Sequence, residues 1–85
     1  MQDRKPCSII VFNESLYYVE DALDTLRRVS QYLAPEGVLL ISMFERLVTS
    51  RIWKLILPHY RVLRSVRIED ATWAKSWRIR VLQPL

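Results

Sequence analysis

Two apolar runs separated by one amphipathic segment constrain this chain more than anything else in it. Residues 8–12, SIIVF, and 38–44, VLLISMF, are unbroken apolar stretches of strand length, the pattern of strands covered on both faces. Between them Asp21 is placed to cap a helix, and Asp24 falls in the first turn, where the helix dipole favours a carboxylate. Ala22, Leu26, Val29 and Leu33 recur at intervals of four, three and four, with Leu23 alongside. Asp24, Arg27, Arg28 and Gln31 take the opposite face, with Asp24 one turn from Arg28. Pro35 ends this helix and Gly37 permits the tight turn that follows. A buried strand, an amphipathic crossover and another buried strand make a right-handed βαβ unit in a parallel sheet.

After Glu45 the texture changes. Residues 46–57, RLVTSRIWKLIL, place Val48, Ile52, Leu55 and Ile56 among basic residues, which reads as a helix stopped by Pro58. In 60–69 the apolar residues Tyr60, Val62, Val66 and Ile68 take even positions, a pattern broken at Leu63 and Arg64. In 75–82, Trp77, Ile79 and Val81 alternate cleanly with Ser76, Arg78 and Arg80, and Trp77 reads as a core residue. Period two across a connection as short as DATWA argues for an antiparallel pair. The expected order is β-α-β-α-β-β, an α/β fold of parallel strands with a final antiparallel strand.

Size and composition bound the function. A chain of 85 residues makes one small domain, burying roughly 60–65% of its unfolded surface. Hydrophobic content of 51% with four Pro and one Gly speaks for a packed core and against disorder. No apolar run approaches the ~18–20 residues of a membrane span, and the N-terminal run is too short for a signal-peptide core. The single cysteine, Cys7, cannot form an internal disulfide, which fits a reducing cytoplasm; at the start of an apolar run it reads as a small buried hydrophobe. One Cys and one His, His59, leave no zinc-type spacing, so no metal site is expected. Residues 1–45 hold four Lys/Arg and seven Asp/Glu, a net of −3, while residues 46–85 hold nine and two, a net of +7. That asymmetry suits an anionic partner or, more plainly, the solvated faces of a helix and two strands.

The first run ends in a polar cluster: IIVF passes into Asn13, Glu14 and Ser15, and then to Tyr17 and Tyr18. Residues 7–21, CSIIVFNESLYYVED, resemble the fourth strand and following loop of class I S-adenosylmethionine-dependent methyltransferases. Residues 26–43, LRRVSQYLAPEGVLLISM, resemble that family's next helix, Pro-Gly-type turn and fifth strand, with Pro35-Glu36-Gly37 standing where Pro-Gly-Gly is common. KSWRIRVLQP is similar to the last strand. The resemblance implies the C-terminal half of a Rossmann-like sheet, its final antiparallel strand inserted beside the fifth.

In open α/β sheets ligands sit beyond the carboxyl ends of the parallel strands. The resemblance therefore implies that Asn13 and Ser15 face S-adenosylmethionine and the substrate. Glu14 is the candidate catalytic residue, as a base or to orient an amine, although a strand-end carboxylate equally caps the following turn. Tyr17 and Tyr18 are candidates for a substrate-pocket wall, one of them packing inward. Glu45 and Arg46 emerge at the same edge, and a hairpin that follows the family brings its loop there too, with Trp73 and Lys75 close. The sequence does not identify the methyl acceptor, although the tyrosines, Glu14 and Trp73 lean towards a small molecule, such as an amine.

What is missing matters as much. The family grips its cofactor with a glycine-rich loop after its first strand, and this chain has one glycine and no G-x-G. Tight cofactor binding by the chain alone is not expected, and the isolated chain reads as inactive. Without a neighbour, the strand 9–12 (Ile9, Ile10, Val11, Phe12) becomes a sheet edge. Such an edge invites self-association or pairing with a missing N-terminal half. Two other readings stand beside this one. A basic nucleic-acid-binding module would use Arg61, Arg67, Arg78 and Arg80 with Trp73 nearby. The other is a noncatalytic partner subunit of a methyltransferase.

Overall fold

The computed structural model describes residues 6–85. In chain order it contains β1 (Cys7–Asn13), α1 (Ala22–Ser30), β2 (Leu33–Phe44), α2 (Leu47–Ile56), β3 (Tyr60–Asp70) and β4 (Lys75–Pro84), with single 3-10 turns at Leu16–Tyr18 and Leu57–His59. The four strands form one sheet in the order β1-β2-β4-β3. β1 pairs parallel to β2, while β4 pairs antiparallel to both β2 and β3. The final strand is thus inserted beside β2, and β3 runs parallel to β2 with β4 between them. This is the Rossmann-like α/β arrangement that the family resemblance implies, and it bears out the parallel beginning and final antiparallel strand expected from the order of elements.

Local chemistry explains the helix starts. Asp21 accepts the amide of Asp24 at 3.0 Å, and Arg28 pairs with Asp24 at 2.9 Å one turn on. At α2, Thr49 Oγ1 accepts the Arg46 amide at 3.0 Å and donates to the Phe44 carbonyl at 2.6 Å, so one buried hydroxyl ties the helix to the end of β2. Both helices pack on one face of the sheet. Leu26 of α1 and Trp53 and Ile56 of α2 join Leu39, Ile41 and Met43 of β2 and Leu82 of β4 in a single buried cluster.

The other face is uncovered among the described residues, which corrects the reading of the first run as buried on both sides. Ile10 and Phe12 turn towards the helices, but Ile9 and Val11 are each 57% exposed. Across the register, Val11 aligns with Leu40 and Val81, while Ile79 and Trp77 lie beside Ser42 and Phe44. Val66 and Ile68 of β3 continue this apolar surface. Trp77 is therefore half-buried on the uncovered face and is not a core residue. Conversely Arg78 and Arg80, opposite Met43 and Ile41, point to the helix side. Alternation fixes which side chains share a face, and here the helices took the face bearing the arginines.

Two smaller expectations also change, and one irregularity of the sequence pattern finds its cause. Cys7 is exposed at the start of the edge strand and not buried, because β1 has no neighbour on its outer side among the described residues. The first helix stops at Ser30, and Leu33 already pairs with Cys7. From there the register jumps to Ile9 opposite Val38, so residues 34–37 bulge outward and Pro35, which has no amide to donate, sits in the bulge. The break at Leu63 and Arg64 is a register shift between Val62 and Arg64.

Gly37 is buried at the end of that bulge, where a Cβ would lie 2.9 Å from the Cys7 carbonyl oxygen and 3.0 Å from that of Ala34. Both obstacles are backbone, so Gly37→Ala must push β1 away from β2. We expect it to lower stability by about 1–3 kcal/mol, read as a shift in the urea midpoint at unchanged m-value. An unchanged midpoint would show that the strands do not approach this closely.

Candidate active site at the strand ends

The parallel run of β1 and β2 and the reversed run of β4 bring Asn13, Phe44 and Lys75 to one edge of the sheet, with the β3–β4 turn after Asp70 beside them. At this edge the chain leaves β1 through Glu14, which holds φ 53, a left-handed conformation unusual for a residue with a side chain. The turn aims its carboxylate back over β2. Oε2 accepts from Ser42 Oγ at 2.8 Å, while Oε1 accepts the Phe44 amide at 2.8 Å and the Tyr17 hydroxyl at 3.4 Å. Three of the roughly four acceptor positions of a carboxylate are filled in this way. Ser42 is the partner the sequence reading missed. Its signal was present, as the one hydroxyl in an otherwise apolar strand.

Around Glu14 stand aromatic rings and cations. Tyr17 is half-buried with its ring 4.6 Å from that of Tyr18, which is 79% exposed. Loss of water around Tyr17, then its hydrogen bond to Tyr18 and the nearby charges of Tyr18 and Glu14, push its phenol above the ordinary value of 10.0, against the lowering effect of Arg46. The Arg46 guanidinium lies 5.4 Å from the centre of the Tyr17 ring and 5.5 Å from that of Phe44, and the Lys75 ammonium lies 5.9 Å from Phe44. Phe44 meets Trp77 edge to face at 5.6 Å.

The remaining candidates divide. Asn13 and Ser15 are exposed at the mouth of this cluster. Trp73 is 70% exposed in the turn, where its amide and that of Thr72 are held by Asp70 Oδ1 and Ala74 takes φ 52. Glu45 turns to the helix side, receives Arg67 Nε at 2.6 Å and lies 3.9 Å from Arg78, while Arg67 also contacts Glu69. The Arg67 hydrogen bond, helped by Ser76 and by the charges of Arg67 and Arg78, holds the Glu45 carboxyl below its ordinary value of 4.5 despite partial desolvation. Arg67, Arg78 and Arg80 thus share the helix side of the sheet, while Arg61, opposite Gln83, is on the other.

No group of three or more His, Cys, Asp or Glu able to hold a metal occurs among the described residues. The residues present do not by themselves fit S-adenosylmethionine. The one glycine of the chain lies at the opposite end of β2 with its open side filled by the Cys7 and Ala34 carbonyls, so it offers no backbone cradle.

Glu14→Ala leaves the Phe44 amide and Ser42 hydroxyl without their acceptor and keeps a left-handed turn without its tether. A loss of about 1–3 kcal/mol in urea unfolding is expected, whereas an unchanged value would mean that the carboxylate does not organise this edge. Because the folded-state pKa of Glu45 is depressed, its ion pair contributes fully above the ordinary glutamate value of 4.5, and that contribution fades as pH falls through the lower folded value. Glu45→Gln should flatten the acid side of the stability–pH curve below 4.5 and leave the slope at neutral pH unchanged.

Residues 2–83 match the family described as a methyltransferase domain. No curated protein matches the chain. Among solved structures it is similar to the N-methyltransferase NodS from Bradyrhizobium japonicum WM9 in complex with S-adenosyl-L-homocysteine, with a TM-score of 0.72 and 18% identity over 99% of this chain and 49% of that one. A second structure of the same enzyme gives a TM-score of 0.67 and 20% identity over 99% and 54%. The chain spans about half the length of these structural relatives. At such identity they speak for the fold alone, but with nearly all its residues matched the chain belongs to the methyltransferase-domain family.

Proposed function

We propose that these residues form the C-terminal, acceptor-side part of an S-adenosylmethionine-dependent methyltransferase that acts on a small molecule. The observation that carries this reading is the strand-end cluster. Glu14, Ser42 and Tyr17 are locked together at the carboxyl edge of a sheet whose family transfers methyl groups, and Arg46 and Lys75 flank them. Methyl transfer asks mainly for alignment and exclusion of water. In this reading Tyr17, Tyr18, Arg46, Trp73 and Lys75 hold the acceptor, and Asn13 and Ser15 meet the cofactor. Glu14 fixes the floor of the site and keeps one acceptor position for a proton or an N–H of the substrate. Glu45 acts indirectly, anchoring Arg67 beside the edge.

The cofactor grip then comes from outside these 85 residues, and so does the cover for the apolar sheet face. Among the described residues, an uncovered face with Ile9 and Val11 exposed and an unpaired edge at β1 suit docking of further strands and helices, from a missing N-terminal half. A second copy is the substitute when that half is absent.

The test begins with the reading frame upstream of Met1, where a strand, a G-x-G loop and an acidic residue some ~20 positions on are expected. Calorimetric titration with S-adenosylhomocysteine should give no measurable binding to the 85-residue chain and clear binding to the extended protein. The short chain should also self-associate in size-exclusion chromatography, and the extended one should not. Tight binding by the short chain alone, or none by the extended protein, would overturn the proposal.

A further inference from the structure

A concave site lies on the helix side of the sheet, between α2 and β4. Its volume is about 530 Å³, and its walls include Arg46, Trp53, Lys54, Leu57, Arg78 and Arg80. This is within the size range of small-molecule pockets. Four cations thus converge on one cleft, whose one carboxylate, Glu45, is already taken up by Arg67 and Arg78. Among the described residues no carboxylate forms an ion pair with Arg46, Lys54 or Arg80.

Arg80 is the most telling of them. It projects from β4 opposite Ile41, is half-buried, and lies with its guanidinium 4.5 Å from the centre of the Trp53 ring. Burial, and then the charge of Arg78, lower its pKa, only partly offset by Glu45, so the folded chain holds this charge at a cost. Stacking on indole leaves the edge of a guanidinium, which carries its N–H donors, free to meet an anion. A strand that could have placed Ile79 and Val81 under α2 places Arg78 and Arg80 there instead.

We propose that this cleft binds a small molecule bearing a phosphoryl group, with Arg80 and Lys54 as its principal cations and Trp53 and Leu57 against its apolar body. A phosphate monoester carries close to two negative charges at neutral pH and three strong acceptor oxygens. It suits several unpaired cations better than a single carboxylate does, and the arginine fork matches its geometry. The cleft has more room than a bare phosphate ion needs. This site opens on the helix side next to the strand-end cluster and shares Arg46 with it, but its principal cations, Arg80 and Lys54, lie outside that cluster.

The test is a calorimetric titration of the chain with inorganic phosphate and with phenyl phosphate. Phenyl phosphate should bind more tightly than phosphate, and both Arg80→Gln and Lys54→Gln should weaken it about tenfold. Arg61→Gln, on the opposite sheet face, should leave it unchanged. Near-ultraviolet circular dichroism checks that the variants keep their packing; should Arg80→Gln lose it, Lys54→Gln, on an exposed helix position, carries the comparison. The proposal is overturned if neither probe binds, if both bind equally, or if Lys54→Gln has no effect. It is equally overturned if single-stranded RNA binds more tightly than either probe and Arg61→Gln weakens that binding as much as Lys54→Gln, since the surface would then be a diffuse polycation.

Discussion

Handedness governs this structure. β1 connects to β2 through α1, and β2 connects to β3 through α2, with both moves going the same way across the sheet. Crossovers between parallel strands are right-handed, so two taken in the same direction must place their helices on the same face. The shared core of Leu26, Trp53 and Ile56 over Leu39, Ile41 and Met43 is the result. The uncovered apolar face follows from the same rule, because a helix reaches it only through a connection running the other way. Among the described residues, the bare face is thus a consequence of this topology, and β1 stands at the edge of the same sheet.

The same rule shapes the two candidate sites. The second crossover skips the position that β4 later fills, and α2 packs on the same side as α1, with its Trp53 beside Arg80 of β4. Leu82 is sealed into the core, while Arg78 and Arg80, further towards the strand-end edge, line a cleft instead of a dry contact. At the strand ends, the close parallel pairing of β1 with β2 places Glu14 within reach of Ser42 and the Phe44 amide. The left-handed turn at Glu14 is held by those bonds, which replace the permissiveness a glycine would bring.

Much of this was legible from the residues alone. The βαβ unit, the cap at Asp21 and the antiparallel pairing of the last two strands follow from periods and turn chemistry, while the insertion of the last strand beside β2 and the family come from the resemblance of motifs lying on those elements. The gathering of Asn13, Glu14, Tyr17 and Arg46 at one edge follows from strand direction, and that of Lys75 from the resemblance of the hairpin to the family's. What alternation does not encode is which face of a strand is covered. Trp77, Ile79 and Val81 look like core and Arg78 and Arg80 like surface, yet topology assigns the helices to the arginine side. The same gap hid the exposure of Ile9 and Val11. Leu33 fits the helical period well, but its pairing with Cys7 is a long-range bond that a local pattern cannot contain.

Ser42 lies in register with Ile79 on the uncovered side, and the Glu14 carboxylate reaches it there. Any body that seats itself on Ile9, Val11, Leu40 and Val81 therefore also shields this hydrogen bond from water. A charge-assisted bond strengthens as the local dielectric falls, and an ionised carboxylate is tolerated in such surroundings only while its acceptors stay satisfied. Ser42, the Phe44 amide and Tyr17 already fill three of its roughly four acceptor positions. Covering the face would therefore stiffen the strand-end site without rebuilding it. In this way the bare face and the polar edge, separate in the sequence, act on the same few atoms.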